Sequence, residues 1–276
     1  MRLGIFAKTF PGNTPQAVMS AAREAGYDTV QYNMACSGLS ALPQAIPDEA
    51  VSALREASEA TGVGVAALSA TYNMIHPDPA VRDVGRAAFA AIAGAARELG
   101  TEVVTVCTGS RDPRDQWRHH PDNATPEAWE EFVAEMRRLL VLADRHGVTI
   151  GVEPEPGNVV SSPERARAML DLFDHPRLGI VLDPANLFET AAGLRGGEVV
   201  DAAVDLLADR IVLAHAKDRN GDGEVVPAGQ GVVDFRRFLG RLRRAGFDGA
   251  VVTHGLSPQE APEVARRLRA ALDAPC

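Results

Sequence analysis

Residues 147–163 read GVTIGVEPEPGNVVSSP, and this stretch joins two predicted helices through one predicted strand. Gly147 is suited to the left-handed residue that ends a helix, and the β-branched run after it favours a strand over Thr149–Glu153. Ser162 followed by Pro163 is typical of a helix start, where a side-chain oxygen caps the free amides and proline takes the first turn. The stretch therefore predicts a helix, a strand and a second helix, with a carboxylate at the strand's carboxyl end.

The same signals recur along the 276 residues. A glycine suited to a helix end precedes five of the predicted strands, and a Thr-Pro or Ser-Pro pair begins four of the predicted helices. The predicted strands are Leu3–Ala7, Thr29–Tyr32, Val63–Ser69, Val103–Cys107, Thr149–Glu153, Leu178–Leu182, Arg210–His215 and Ala250–Thr253. The predicted helices are Thr14–Ala25, Asp48–Thr61, Ala80–Leu99, Pro126–His146, Pro163–Leu172, Gly197–Ala208, Phe235–Ala245 and Pro258–Asp273.

This alternation predicts parallel strands joined by right-handed crossovers. Eight such units match a single (β/α)8 TIM barrel, which typically needs about 250 residues, so we expect one domain over residues 1–276. An open dinucleotide-binding sheet would need a glycine-rich turn after its first strand, and residues 7–12, AKTFPG, lack that pattern. Only two connections are predicted to be long, Gly109–Ala124 and Asp218–Gly231, and both leave the strand ends where barrel active sites lie.

Composition restricts the class of partner. The chain has 28 Lys and Arg against 37 Asp and Glu, a formal net charge of −9, which disfavours nucleic acid as a partner. No apolar run is long enough to span a membrane, and Met1–Phe6 leads into a strand-like run without signal-peptide features. Three widely spaced cysteines, Cys36, Cys107 and Cys276, suit a reducing compartment, so we expect a cytoplasmic protein.

Four residues with metal-binding side chains follow four consecutive predicted strands. They are Glu153, Asp183, His215 and His254. In a closed barrel their side chains would converge on one mouth, and two carboxylates with two imidazoles form a divalent-metal site. The alternative for each residue alone is a structural role, in which an acidic group caps the next helix or pairs with a lysine.

These residues resemble the xylose-isomerase-like barrels, a sugar isomerase and epimerase superfamily that also includes endonuclease IV. The resemblance covers nearly the whole chain and is carried by Glu153 and by three segments, DPAN at 183–186, HAKD at 215–218 and GQGVVDF at 229–235. It implies one divalent metal held by a Glu, an Asp, a His and a final Glu. Glu153, Asp183 and His215 match the first three ligands, whereas His254 stands where the second glutamate is expected.

The histidine changes what the resemblance implies. The family's keto-sugar epimerases move a proton with two glutamates on opposite faces of the substrate, and this chain keeps only the first. Two histidines with two carboxylates also move the metal preference away from Mg²⁺, so we expect Mn²⁺, with Zn²⁺, Co²⁺, Fe²⁺ or Mg²⁺ as alternatives.

Further polar residues at strand ends are candidates for catalysis and substrate binding. For proton transfer and charge stabilisation the candidates are Glu153, Glu155, Lys217 and His76; a salt bridge for Lys217 and a packed loop position for His76 remain alternatives. The candidates for binding a hydroxyl-rich substrate are Lys8, Gln31, Asn73, Arg111, Trp117 and Asn186, with Trp117 in a loop that could cover the mouth.

We therefore expect a metal-dependent isomerase or epimerase that acts on a small sugar or sugar-derived hydroxy-carbonyl compound through an enediolate. The first alternative is a lyase or dehydratase acting on a keto-sugar or keto-inositol. Two less favoured alternatives are an endonuclease IV-like phosphodiesterase and a non-catalytic sugar-binding barrel. The sequence leaves the oligomeric state open, with a homo-oligomer as one alternative.

Overall fold

A computed structural model describes residues 1–274 and contains a closed barrel of eight parallel strands. The strands are β1 Arg2–Phe6, β2 Thr29–Tyr32, β3 Gly64–Ser69, β4 Val103–Val106, β5 Thr149–Val152, β6 Leu178–Leu182, β7 Ile211–Ala216 and β8 Ala250–Thr253. Each strand pairs with its neighbours in sequence, and β1 closes the sheet by pairing with β8, with Gly4 opposite Val252. The predicted barrel is confirmed.

Among residues 1–274, eight helices of ten or more residues surround the barrel, one after each of its strands. They are α1 Pro15–Glu24, α2 Asp48–Thr61, α3 Pro79–Ala96, α4 Pro126–His146, α5 Pro163–Phe173, α6 Glu198–Leu207, α7 Phe235–Arg244 and α8 Ala261–Leu272, and short helical turns lie between some of these elements. The side chains of Thr14, Thr125 and Ser162 cap α1, α4 and α5 as predicted. The glycines predicted to end helices have φ between +68° and +93°, which glycine adopts without steric cost.

Three connections differ from the sequence prediction. Residues 33–47, between β2 and α2, form a third long connection, in which Asn33 caps a helical turn and Leu39, Leu42 and Ile46 pack against the core. Residues 183–197, between β6 and α6, form a fourth, which includes the short helix Ala191–Leu194. The loop after β7 is not wholly irregular, because Asp218–Arg219 and Val225–Val226 pair as an antiparallel hairpin. These features depend on contacts made by residues in the connecting segments. The periodic patterns that predict strands and helices do not describe such contacts.

The start of α8 also differs from its prediction. The Ser257-Pro258 pair predicts a helix from Pro258, but α8 begins at Ala261. The backbone amide and hydroxyl of Ser257 donate to the Glu260 carboxylate at 2.8 and 2.7 Å, which stabilises a separate turn before the helix.

The inside of the barrel is filled by its own apolar cluster. Val181, Leu213 and Val252 belong to this cluster, which is separate from the larger core between strands and helices. Because side chains on a strand alternate, these three share a face with the residues two positions later, Asp183, His215 and His254. The polar residues at the mouth therefore lie above an apolar floor. Within residues 1–274, no helix combines the length and apolarity that crossing a bilayer requires.

Candidate active site

The four predicted metal ligands meet at the carboxyl ends of β5 to β8. Each of Glu153, Asp183, His215 and His254 offers one atom suited to a metal, and these four atoms lie within 4.8 Å of one another. Three of the residues are buried and His254 is partly exposed. Residues separated by up to about 100 positions in the chain therefore form one group, which we call the metal group. It could hold a divalent ion.

Hydrogen bonds orient one half of the metal group. Glu153 Oε1 lies 3.1 Å from His215 Nδ1 and accepts a hydrogen bond from Asn186 Nδ2 at 3.0 Å. Asn186 also donates to the carbonyl of Pro154 at 3.2 Å and accepts from Lys217 Nζ at 2.8 Å. Asn186, which the sequence suggested as a substrate ligand, is buried and forms hydrogen bonds with both Glu153 and Lys217.

The other half of the metal group contains buried polar atoms without hydrogen bonds. Among residues 1–274, Asp183 Oδ2 and His254 Nε2 are the two buried side-chain atoms with no hydrogen-bond partner. They face each other at 3.5 Å, and Lys217 Nζ approaches Asp183 Oδ2 at 3.2 Å as an ion pair without directed hydrogen-bond geometry. Leaving buried polar atoms unpaired costs free energy. A carboxylate oxygen and an imidazole nitrogen are ligands for a divalent ion, so these unpaired atoms fit a metal at this position.

The charges of the group also suit a cation. Burial by itself raises the pKa of Asp183, but the ammonium of Lys217 and the ring of His254 hold that pKa well below its usual range. Burial likewise opposes ionisation of Glu153, yet His215 lowers the pKa of this carboxyl below its ordinary value. Burial lowers the pKa of His254, which favours its neutral form. Two ionised carboxylates and a neutral imidazole can all act as ligands at neutral pH.

Glu155 and Lys217 lie beside the metal group. Lys217 Nζ is 3.8 Å from Glu155 Oε1, and the carboxylates around Lys217 outweigh burial and raise the pKa of its ammonium. Burial, and then the charge of Glu153, raise the pKa of Glu155 to about 7. A carboxyl group with this pKa can both accept and return a proton near neutral pH. Lys217 remains positively charged beside it.

A cavity of about 360 Å³ opens above these residues. Its lining includes Gln31, Trp117, Glu153, Glu155, His215, Lys217 and His254, together with Phe6, Ser69, Thr71, Val225 and Gly255. A larger cavity of about 480 Å³ lies beside it, but it contains none of the metal group and shares only Trp117 with the first. The smaller cavity, here called the mouth cavity, is lined by the candidate metal-binding and catalytic residues.

Asp218 shapes the loop that continues from Lys217. Its buried carboxylate accepts four backbone N–H groups at 2.9–3.0 Å, from Arg219, Gly229, Gly231 and Val233. A Cβ at Gly231 would overlap the carbonyl oxygen of Arg219, so the loop needs glycine there. The Asp218 carboxylate therefore links the HAKD segment to the GQG segment through hydrogen bonds to the backbone of the loop. The same loop carries Val225, which lines the mouth cavity.

Three predicted site residues are used elsewhere. His76 lines the larger cavity, where its Nε2 lies 3.1 Å from the carbonyl of Pro113 and its Nδ1 accepts from the amide of Asp78. The side chain of Asn73 bonds to backbone groups of residues 75, 110 and 112, and Arg111 pairs with Glu131 at 2.7 Å. These residues hold the β3 and β4 loops together.

Lys8, Cys36 and Cys107 do not line the mouth cavity. Lys8 is exposed and lines a neighbouring cavity that shares Phe6, His254 and Gly255 with the mouth cavity. Cys36 and Cys107 are buried, and burial raises the pKa of both thiols, which disfavours a nucleophilic role. Cys276 lies outside the described residues.

The sequence reasoning missed several mouth-cavity residues. Phe6 ends β1, Ser69 ends β3, and Thr71 follows two positions later. Their position at strand ends was available as a signal, but apolar and hydroxyl side chains are common there and carry no metal-binding chemistry. Val225 could not be placed, because its position depends on the hairpin after β7.

Comparison with known proteins agrees with this architecture. The chain matches the family described as "Xylose isomerase-like TIM barrel" over residues 19–273. It is 28% identical over 166 residues to the uncharacterized protein MJ1311 of Methanocaldococcus jannaschii, a match that covers 56% of this chain and 50% of that protein. The match therefore spans about half the length of this relative.

Two solved structures illustrate the likeness of fold. The 3-keto-D-glucoside 4-epimerase YcjR of E. coli superposes with a TM-score of 0.78 at 18% identity, covering 98% of this chain and 99% of that one. The IolI protein with a bound zinc atom superposes with a TM-score of 0.73 at 19% identity, covering 99% and 98% of the two chains. With the family match over residues 19–273, these findings show that the chain belongs to the xylose isomerase-like TIM barrel family.

Proposed function

We propose that this protein is a metal-dependent isomerase or epimerase of a small sugar or sugar-derived hydroxy-carbonyl compound. The observation that carries the proposal is the metal group, with four ligand atoms within 4.8 Å of one another at the base of the mouth cavity. The fold it shares with a 3-keto-D-glucoside 4-epimerase supports the same class of reaction.

Glu153, Asp183, His215 and His254 would hold the ion. A divalent ion there would polarise a substrate carbonyl and acidify the adjacent C–H bond. We propose Mn²⁺, with Zn²⁺ as the second candidate, because a mixed set of imidazole and carboxylate ligands accepts both and the IolI neighbour carries zinc.

The proton transfer is assigned to Glu155. Its carboxyl lines the mouth cavity next to the metal group without belonging to it. Glu155 would take the proton from the carbon next to the carbonyl. The electron pair of that C–H bond would form a carbon–carbon double bond, and the π electrons of the carbonyl would move onto its oxygen to give an enediolate. Lys217, which also lines the cavity, would stabilise the developing negative charge through its ammonium. Isomerisation would return the proton from Glu155 to the neighbouring carbon, while the hydroxyl proton of the first carbon moves to the former carbonyl oxygen. Epimerisation would instead need a second acid to deliver a solvent-derived proton to the opposite face of the same carbon, and Glu155 would pass its own proton to solvent.

The lining indicates a substrate without a phosphate group. Among the described residues that line the mouth cavity, Lys217 is the only lysine or arginine, and it is already flanked by Asp183 and Glu155. Within the mouth cavity, a phosphate would therefore meet carboxylates without an unpaired lysine or arginine side chain to bind it. Phe6 and Trp117 offer apolar surfaces on which the C–H face of a neutral sugar could lie.

Solvent deuterium exchange tests this function. The metal-loaded protein is incubated in D₂O with a panel of unphosphorylated ketoses, keto-glucosides and keto-inositols, and products are followed by NMR and mass spectrometry. We expect deuterium at the carbon next to the carbonyl and a product of unchanged formula apart from this exchange. A product that is lighter than its substrate by one water molecule would instead identify a dehydratase. Absence of both exchange and conversion across the panel would refute the proposal.

Two matched variants separate the metal group from the proton-transfer group. Glu155→Gln should retain bound metal and lose activity by about 10²–10⁴-fold, the usual contribution of a general base. Glu153→Gln should lose metal as well as activity, because it removes a ligand. Metal content is measured by mass spectrometry of the purified proteins. If Glu155→Gln remains fully active, the assignment of Glu155 is wrong.

A further inference from the structure

We infer that Gln31 is a positioning residue that selects which ring nitrogen His215 presents to the metal group. The inference rests on the metal site of the proposed function. Gln31 lies on β2, three strands from β7 around the closed barrel, and its side-chain oxygen Oε1 is 2.7 Å from His215 Nε2. This is the shortest contact that either ring nitrogen of His215 makes among the described residues.

Neighbouring hydroxyl groups fix the orientation of the Gln31 amide. The Thr105 hydroxyl lies 3.4 Å from the backbone carbonyl of Leu68, to which it donates, and it can therefore accept the Gln31 Nε2 hydrogen at 3.1 Å. Ser69 Oγ offers a second acceptor to the same nitrogen at 3.4 Å. With the amide nitrogen facing these hydroxyls, the amide oxygen faces the histidine.

The amide oxygen can only accept a hydrogen bond, so His215 Nε2 must be the donor. Without a metal, the other nitrogen, Nδ1, donates to Glu153 Oε1 at 3.1 Å. With a metal bound, the imidazole would be neutral and Nδ1 would carry the lone pair that faces the metal group. Metal-binding histidines almost always donate their second ring N–H to a fixed acceptor, which sets the tautomer and the ring orientation. Gln31 is placed to provide that acceptor.

Burial makes the hydrogen bond between Gln31 and His215 difficult for water to replace. Gln31 is 5% exposed and His215 is 4% exposed, so water has little access to replace the amide oxygen. Without an acceptor, the Nε2–H group would remain unpaired, and the ring would lose its preference for presenting Nδ1. The sequence suggested Gln31 as a substrate ligand; its contacts indicate that it acts through His215.

The test compares Gln31→Met with Gln31→Glu. Methionine keeps the length of the side chain and removes the strong acceptor, whereas glutamate restores an acceptor oxygen at the same position. Zinc affinity is measured by competition with a chromophoric chelator. We expect Gln31→Met to bind zinc about 10- to 100-fold more weakly than the wild-type protein, and Gln31→Glu to recover most of that loss.

NMR of the zinc-loaded proteins labelled with ¹⁵N-histidine gives a second, independent measurement. In the wild type, His215 should show a zinc-shifted Nδ1 and a slowly exchanging proton on Nε2. In Gln31→Met that proton should exchange rapidly, and in Gln31→Glu it should again be protected. Thermal unfolding of the metal-free variants shows whether each one folds.

The outcomes separate this inference from the proposed function. Unchanged zinc affinity and an unchanged Nε2 proton in folded Gln31→Met would overturn the inference. Weaker binding that Gln31→Glu does not restore, with unchanged His215 signals, would overturn it in favour of a purely structural role. A wild-type protein that binds no zinc would overturn the metal site and the inference together. If zinc binds through His215 Nδ1 and depends on Gln31, but no substrate is converted, the inference stands and only the proposed reaction fails.

Discussion

Replacing Lys217 with methionine should destabilise the metal-free protein by about 3–5 kcal/mol, the usual cost of leaving a buried charge without its partner. Lys217 Nζ lies 3.2 Å from Asp183 Oδ2 and 3.8 Å from Glu155 Oε1. The Asp183 side chain is 0% exposed and the Lys217 side chain 10% exposed. At the effective dielectric of a partly buried site, two unit charges about 4 Å apart attract by about 4 kcal/mol. Methionine preserves the packing of the lysine stem, so the loss reports mainly on charge.

A matched control exists because the chain has only two lysines among its 28 basic residues. The other is Lys8, which is exposed at the carboxyl end of β1. Lys8→Met removes the same charge from the same face of the barrel and should change the free energy of unfolding by less than about 0.5 kcal/mol. Both variants are measured by urea denaturation in the presence of a chelator, followed by circular dichroism.

Adding zinc to the same experiment tests the reason for the effect. Without Lys217 the carboxylates of the metal group lose their internal cation, so a bound ion should stabilise Lys217→Met more than it stabilises the wild type. The reasoning is refuted if metal-free Lys217→Met is within about 1 kcal/mol of the wild type, which is well below the cost of an unpaired buried charge. It is also refuted if Lys8→Met is destabilised equally.

Three further predictions concern the loops and the helix layer. Asp218→Asn removes two of the four accepted backbone hydrogen bonds and should cost about 3 kcal/mol in urea denaturation; a loss below about 1 kcal/mol would show that the loop does not depend on this carboxylate. Gly109→Ala and Gly100→Ala both place a Cβ at positive φ, but only the first meets a side-chain amide, so it should be the less stable by about 2 kcal/mol or more. Arg237 lowers the pKa of Asp201, so this pair stabilises the fold above the unfolded pKa near 3.9 and loses its effect as the pH falls. Asp201→Asn should accordingly flatten the acid end of a stability-against-pH curve, and an unchanged curve would contradict this.

Much of the fold could be predicted from the sequence because its signals are local. A glycine at a helix end, a Thr-Pro pair at a helix start and a β-branched run each act within a few residues, so the eight units could be counted directly. One error lies where two local signals compete. Ser257-Pro258 resembles a helix start, but Glu260 captures the amide and hydroxyl of Ser257 and delays α8 to Ala261.

The candidate site, like the fold, could be predicted from the sequence only in part. The metal group could be identified because strong ligand types follow four successive strands and a barrel brings such positions together. His76 and Arg111 also follow strands, yet the structure does not bring them to the metal group. Their side chains bond to the β3 and β4 loops and, for Arg111, to Glu131 on α4. No periodic pattern reveals which loop residues turn away from a cavity.

By itself, the sequence determined the number, order and polarity of the barrel's units, because those properties arise from backbone preferences and alternation over short distances. Only the tertiary structure decided which polar groups meet. Closure of the barrel sets Gln31 against His215, 184 residues away, and leaves Asp183 Oδ2 and His254 Nε2 buried without hydrogen bonds. The physical reason is that hydrogen bonding and burial depend on distances through space, which the spacing of residues along a chain does not specify.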